Sequence, residues 1–371
     1  MSDSRSEQEM DKKFRDFLTT EYRMGKIMIA PIDLLLLAAT LLFGILLRSR
    51  LYPILAPKEP GLPSVFGEGI MSMKYFSTAL DCLMALCGGL VVWKLTGSRI
   101  RAFLTVTVLF LSPAIVADSA LWGMADSLYL SLSLLSLLAV LCGRTAAAGI
   151  LLGIAAFFSP LVLILLPAVC GQIISTDNGK KGKLLAAAAL LYTAAGTLLH
   201  LFMITDSGPA IPPFSMERIL EQSRGARLLS YHVPGIYAMI GEGAFVSEYT
   251  KAGYIMGFAV ALVLFYLSCR ICVGSLCDSA GLIRMSLLCA LILPFILPGM
   301  NERCLLPAGM LGVILAMCEP TFYKVAVVET IIAFLPTAAY FREESFLPMP
   351  YIALVQLVLI VYYYKTTTER K

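Results

Sequence analysis

Residues 113–160 read P-A-I-V-A-D-S-A-L-W-G-M-A-D-S-L-Y, then an apolar run to Cys142, then G-R-T-A-A-A-G-I-L-L-G-I-A-A-F-F-S-P. A hydrophobic segment ends at Asp118, and a short Trp-Gly loop carries a second carboxylate, Asp126. The chain then turns straight back into apolar sequence. A plain helical hairpin needs only a polar turn, so two acids, Trp122 and Gly123 at one corner raise the question of what that corner faces.

Outward from this corner the pattern repeats. Apolar stretches of near-spanning length recur from residue 27 to residue 364, and the 371 residues are 58% hydrophobic and 15% charged. Soluble domains carry roughly a quarter charged residues. The expected class is therefore all-α: a polytopic transmembrane bundle of about twelve spans, each needing about 20 apolar residues. Met1 to Lys26 is polar and charged, and the first apolar run is long enough to stay as a helix, so no cleavable signal peptide is expected. The net charge of +4 is spread over many loops and implies no nucleic-acid partner.

The expected organisation is a cytosolic segment 1–26, a transmembrane domain 27–364 and a cytosolic tail 365–371. Its outer loops are 51–75, 118–127, 205–250, 299–303 and 342–350. The pieces 146–158 and 161–175, broken at Ser159-Pro160, are short for a span. They form a broken hairpin or a tightly packed pair, as the membrane tolerates where backbone is buried in protein. The inner segments of this arrangement hold 19 of the 29 Lys and Arg residues. That asymmetry places both termini in the cytoplasm of a multi-pass protein of the cell membrane.

Charges within or beside spans are costly and invite a functional reading. Asp118 and Asp126 flank Trp122-Gly123; as plain helix ends, Asp126 would N-cap the following span. Glu302-Arg303 fills a tight turn between Pro298 and Pro307. It is either a surface pair or an anion-binding Arg oriented by its neighbour. In the loop 205–250, a segment 216–229 has the pattern of an amphipathic surface helix with Arg218, Arg224 and Arg227, and His232 follows it. His200 reads as an interior histidine, and Asp33, Asp81 and Glu329 lie inside spans. Glu59 and Glu68 are the only acids of loop 51–75. Cys269 and Cys272 make one C-x-x-C near Cys277, a weak metal signature without a second ligand pair. The other cysteines lie mostly in apolar runs as small hydrophobes. No metal-ligand cluster, nucleotide-binding glycine loop or Ser-His-Asp order is present.

The motifs Trp122-Gly123-Met124-Ala125-Asp126-Ser127, Ser159-Pro160 after A-G-I-L-L-G-I-A, and Asn301-Glu302-Arg303-Cys304 occur in that order over roughly residues 75–320. In this the chain resembles a diverged member of the GT-C-fold glycosyltransferases, the mannosyl- and glucosyltransferases that use polyprenyl-phosphate sugars. That family usually reads W-G-Q-x-D-S at the corner, often has a Lys before the Pro at the break, and reads H-E-R-Y at the late turn. Here Met124, Ser159 and Asn301 replace the Gln, Lys and His. The family's first outer loop carries an Asp taken as the general base; loop 51–75 has none, and Glu59 or Glu68 would take its place.

The resemblance implies transfer of a hexose from a polyprenyl-phosphate donor to a lipid or glycan acceptor at the outer leaflet. Glu59 or Glu68 would be the catalytic base. Trp122, Asp118 and Asp126 would shape the sugar pocket, and Arg303 would meet the phosphate with Glu302, Arg224 and His232 around it. It requires no cofactor with certainty and is compatible with a divalent metal. Two other readings stay open: a non-catalytic member of the fold that binds lipid-linked sugar or an envelope-assembly partner, and a lipid or solute transporter. Against the latter, no internal repeat is visible.

Overall fold

A computed structural model describes residue 20 and residues 22–24, 27–54, 70–176, 180–205, 230–231, 233–240, 247–273, 280–342 and 347–369. The chain divides into two units, Met1–Arg50 and Leu51–Lys371. In the first, strand Tyr22–Met24 pairs antiparallel with Ile27–Ile29 and leads into α1, Pro31–Leu51, whose last residue opens the second unit. Asp33, in the first turn of α1, accepts a hydrogen bond from the Ala30 amide at 3.1 Å, so this in-span acid serves the start of its own helix.

The second unit continues with α2 (Ile70–Thr96) and α3 (Arg99–Phe110). Next come α4 (Pro113–Val116), extended by a π-helical turn Ala117–Trp122, and then α5 (Asp126–Leu141) and α6 (Thr145–Phe158). A 3-10 turn Pro160–Leu165 leads into α7 (Leu166–Thr176), followed by α8 (Lys180–Thr205) and α9 (Ser247–Val273). The last four are α10 (Gly281–Ile296), α11 (Leu306–Cys318), α12 (Tyr323–Arg342) and α13 (Met349–Thr368). Prolines set several boundaries. Pro113 has no N–H to extend the α3 ladder, and the chain bends by 45° between α3 and the segment after it. Pro160 separates α6 from α7 at the expected place.

The all-α class therefore holds, and a helix occupies each apolar stretch. Length is where expectation and structure part. Five helices, α1, α2, α8, α9 and α13, are long and apolar enough to cross a membrane among the described residues, or six if α3 and its bent continuation count as one span. By contrast α5 has 16 residues, a rise of about 24 Å against a hydrocarbon core of roughly 30 Å. Large apolar side chains on the long helices stand outward: Ile255 is 71% exposed, Leu191 69%, Phe258 67% and Tyr351 63%. Soluble surfaces rarely sustain such faces, and lipid accounts for them.

The loops are shorter than expected. α1 runs to Leu51 and α2 already begins at Ile70, which trims 51–75 at both ends, and α12 and α13 similarly trim 342–350. Residues 118–127 are mostly helical, because the π turn carries the chain from Ala117 to Trp122 before Gly123 stops it. α2 and α5 build the centre. Met84, Ala85, Val91 and Val92 of α2 are fully buried, and so are Leu130, Leu134 and Leu137 of α5. Polar groups inside are returned to backbone: Ser131 donates to the Ser127 carbonyl at 2.6 Å and Ser133 to that of Tyr129 at 2.7 Å.

Ser136 instead reaches across helices, donating to the Ala148 carbonyl of α6 at 2.8 Å. Because that carbonyl keeps its own place in the α6 ladder, Ser136→Ala is expected to destabilise the protein by only about 1 kcal/mol, read as a small drop in thermal midpoint in detergent. An unchanged midpoint would mean that this contact contributes nothing. Where Arg101 donates to the Cys318 carbonyl at 3.4 Å, Arg284 meets Glu319 Oε1 through Nε at 2.9 Å and Nη2 at 2.5 Å, and the Tyr363 hydroxyl donates to the Arg284 carbonyl at 2.8 Å. These contacts tie α10 to the end of α11 and to α13.

Candidate functional site

The other end of the bundle holds the Trp-Gly corner. The π turn stops because Gly123 adopts φ +69°, the left-handed region, and its amide donates back to the Asp118 and Ser119 carbonyls. That conformation costs a residue with a Cβ more than it costs glycine. A Cβ there would also sit 3.3 Å from Lys74 Cγ, so the corner presses on α2.

α2 holds the corner from below with polar contacts. Ser77 donates to the Met124 carbonyl, and Ser127 donates to Asp81 Oδ1 at 2.5 Å. The Lys74 ammonium, itself buried, donates to the carbonyls of Tyr52 and Ile54, each at 2.9 Å, while the Tyr52 hydroxyl pairs with Thr78 Oγ1 at 2.8 Å. One face of α2 thus secures both the corner and the stem of the first loop.

Asp126 is the first residue of α5, and the capping position before it belongs to Ala125, which makes no side-chain cap. The N-cap reading of Asp126 is corrected: its carboxylate faces a cation instead. The late turn supplies that cation. Strand Met300–Asn301 pairs in parallel with Ser230–Tyr231, Tyr231 opposite Asn301, and the turn Glu302–Leu305 then delivers Arg303 beneath the corner. Arg303 Nε lies 3.7 Å from Asp126 Oδ2, with side chains 21% and 14% exposed, and its guanidinium stands 6.0 Å from the centre of the Trp122 ring.

At 3.7 Å this is an ion pair and not a hydrogen bond. Asp126 Oδ2 is buried with no hydrogen-bond partner among the described residues, and the same holds for the Tyr129 hydroxyl one turn deeper on α5. Asp118 is buried nearby, and the charges of Asp118 and Glu302 both act on Arg303. Burial alone would lower the Arg303 pKa, but Asp126, Asp118 and Glu302 outweigh it and raise it, so the guanidinium stays charged. For Asp126, burial pushes the carboxyl above the usual carboxylate range, with Arg303 opposing and Glu302 adding to the rise.

The structure therefore brings together five expected residues: Trp122, Asp118, Asp126, Glu302 and Arg303. Glu59, Glu68, Arg224 and His232 lie outside the described residues. Reasoning from sequence missed Lys74, Ser77 and Tyr129, and it quoted Ser127 and Cys304 in their motifs without giving them a role; of the α2 residues here, only Asp81 drew attention, as a charge inside a span. Cys304 donates toward Asn301 Oδ1 at 3.4 Å and is itself buried. Among the described residues no group of three His, Cys, Asp or Glu side chains is placed to hold a metal ion.

Chemically the arrangement offers a planar cation, an unmet carboxylate oxygen, an unmet phenol and an indole within one cluster. A guanidinium suits phosphate oxygens, a carboxylate accepts from sugar hydroxyls, and an indole face stacks on a pyranose. Set beside known proteins, the chain finds no relative to refine this: no family model matches it, nor does any curated protein or solved structure.

Proposed function

We propose that the chain is a membrane glycosyltransferase of GT-C-like, twelve-crossing architecture. It would move a hexose from a polyprenyl-phosphate donor to a lipid or glycan acceptor at the outer face of the cell membrane, with both termini cytoplasmic. What carries the reading is the convergence of Arg303 on Trp122 and Asp126, two motifs far apart in the chain. The donor phosphate accepts from Arg303, and the sugar lies between Trp122 and Asp126 with Asp118 behind. Arg224 and His232 of the long loop are assigned to the same phosphate. The acceptor oxygen then bonds to the anomeric carbon as the bond from that carbon to the phosphate oxygen breaks, with inversion. Polyprenyl phosphate leaves with the electron pair, and the acceptor proton passes to Glu59 or Glu68.

The test is transfer by detergent-purified protein supplied with labelled polyprenyl-phosphate mannose, glucose or galactose and a membrane lipid extract. Asp126→Asn, which keeps shape and removes charge, is expected to lower transfer at least about tenfold, with the thermal midpoint little changed. Transfer that proceeds equally well in Asp126→Asn would remove this residue from the site. Saturable donor binding with no turnover supports the second reading, a non-catalytic lipid-sugar binder. The observation favouring that reading is the lack of any Asp in residues 51–75.

A further inference from the structure

Tyr129 has no place in the scheme above. It is 2% exposed, it sits on the third residue after Asp126 and so on the same face of α5 one turn deeper, and its hydroxyl has no hydrogen-bond partner among the described residues. Buried tyrosines normally find a partner for the hydroxyl, and an unmet one costs about 1–3 kcal/mol. Its surroundings are the site itself: Asp126, Cys304, Asp118 and Arg303 all lie within electrostatic reach of the phenol. Other serines on this helix have turned their hydroxyls onto backbone carbonyls. A tyrosine is too long and stiff to do so, and Cys304 and Arg303 from outside the helix are among the groups near its phenol.

We propose that Tyr129 is a specificity-determining residue: together with Asp126, on the same face of α5, it reads the hydroxyls of a pyranose ring. The ligand class is a neutral polyhydroxylated ring. Asp126 Oδ2 offers only an acceptor and the phenol offers both a donor and an acceptor, so a ring carrying several hydroxyls meets both, which a bare phosphate or an acyl chain does not. This rests on the donor reading above, and it adds that discrimination among sugars comes from α5 below the corner, while Arg303 holds the phosphate common to all donors.

The variant Tyr129→Phe removes one oxygen and leaves the ring. Because that oxygen has no partner in the protein, the thermal midpoint is expected to stay the same or rise, whereas a structural hydroxyl would lower it. Binding is read on the full chain in detergent with three synthetic probes: polyprenyl-phosphate mannose, polyprenyl-phosphate glucose and sugar-free polyprenyl phosphate. The wild type is expected to prefer one sugar-bearing probe over the bare phosphate. Tyr129→Phe is expected to erase about tenfold of that preference while holding bare phosphate as before. A variant that keeps the full preference overturns the role of Tyr129 and leaves the site reading standing. A variant with a lowered midpoint makes the residue structural and overturns it too. Failure of the wild type to bind any of the three probes sinks the donor reading, and this inference with it.

Discussion

Arg303→Ala is expected to abolish saturable binding of a polyprenyl-phosphate sugar and to lower the thermal midpoint of the unliganded protein. The two effects share one cause. Arg303 is the cation facing Asp126, Asp118 and Glu302, and without it three carboxylates crowd one pocket with no counter-charge among the described residues. Leaving a largely buried charge unpaired typically costs about 3 kcal/mol. This site is partly open, so the lower part of that scale applies. On the binding side, a guanidinium gives a phosphate two parallel charge-assisted hydrogen bonds, and their loss together with carboxylate repulsion predicts at least a hundredfold weaker binding, about 3 kcal/mol.

Arg303→Lys separates charge from shape. It retains a positive point charge near Asp126 but loses the fork and the planar guanidinium, which stands 6.0 Å from the Trp122 ring centre. The expected order of affinity is wild type, then Lys, then Ala, with the thermal midpoint of the Lys variant close to wild type. If Ala binds donor as well as wild type does, Arg303 is only a structural counter-ion to Asp126, and the phosphate is held elsewhere.

The second large effect is on the fold. Gly196→Val is expected to prevent recovery of monodisperse protein in detergent, or to destabilise it by at least about 3 kcal/mol. Gly196 lies where α8 crosses α6. A Cβ at that position would fall on the Gly153 carbonyl oxygen, 3.1 Å from the Phe157 amide nitrogen and 3.2 Å from the Gly153 carbonyl carbon. These are backbone atoms of a packed helix, and they cannot rotate away as a side chain can. The same crossing seats Gly149 against Ala189 and Gly153 against Tyr192, so the helices meet backbone to backbone along its length. Gly257→Ala, set beside Gly196→Ala, is the matched comparison. Its Cβ would meet the end of the Leu297 side chain, which can move, and this variant is expected to stay within about 1 kcal/mol of wild type. Equal tolerance of both substitutions would show that α6 and α8 do not approach so closely.

Class and local punctuation were legible in the residues. Long apolar runs require helices in lipid, since no other open structure satisfies its backbone there. The break at Ser159-Pro160 and the corner at Trp122-Gly123 follow from proline and glycine chemistry, which acts within a few residues. The corner and the late turn also stood out, because charge beside a span is conspicuous. The end point of the first segment was misjudged: the chain keeps helical hydrogen bonds through Asp118 to Trp122 as a π turn, a geometry for which the sequence carries no distinct signal. Which helices cross the membrane was not legible for a related reason. Apolar composition marks that a segment is buried, and does not say whether protein or lipid buries it.

What only the tertiary structure decided is which side chains meet. A surface helix announces its inward face through polar and apolar alternation, but a helix that is apolar all round gives no such cue. On α5 nothing in the sequence marks Tyr129 as the residue buried beside Asp126, Cys304 and Arg303, and on α2 nothing marks Ser77 as the residue that grips the Met124 carbonyl. Those orientations depend on how helices cross, which small residues such as Gly153 and Gly196 set through backbone contact. The pairing of Asp126 with Arg303 has the same origin. Their chemistry is local and readable from the chain, while their separation of 3.7 Å is a property of the packing of α5 against the turn before α11.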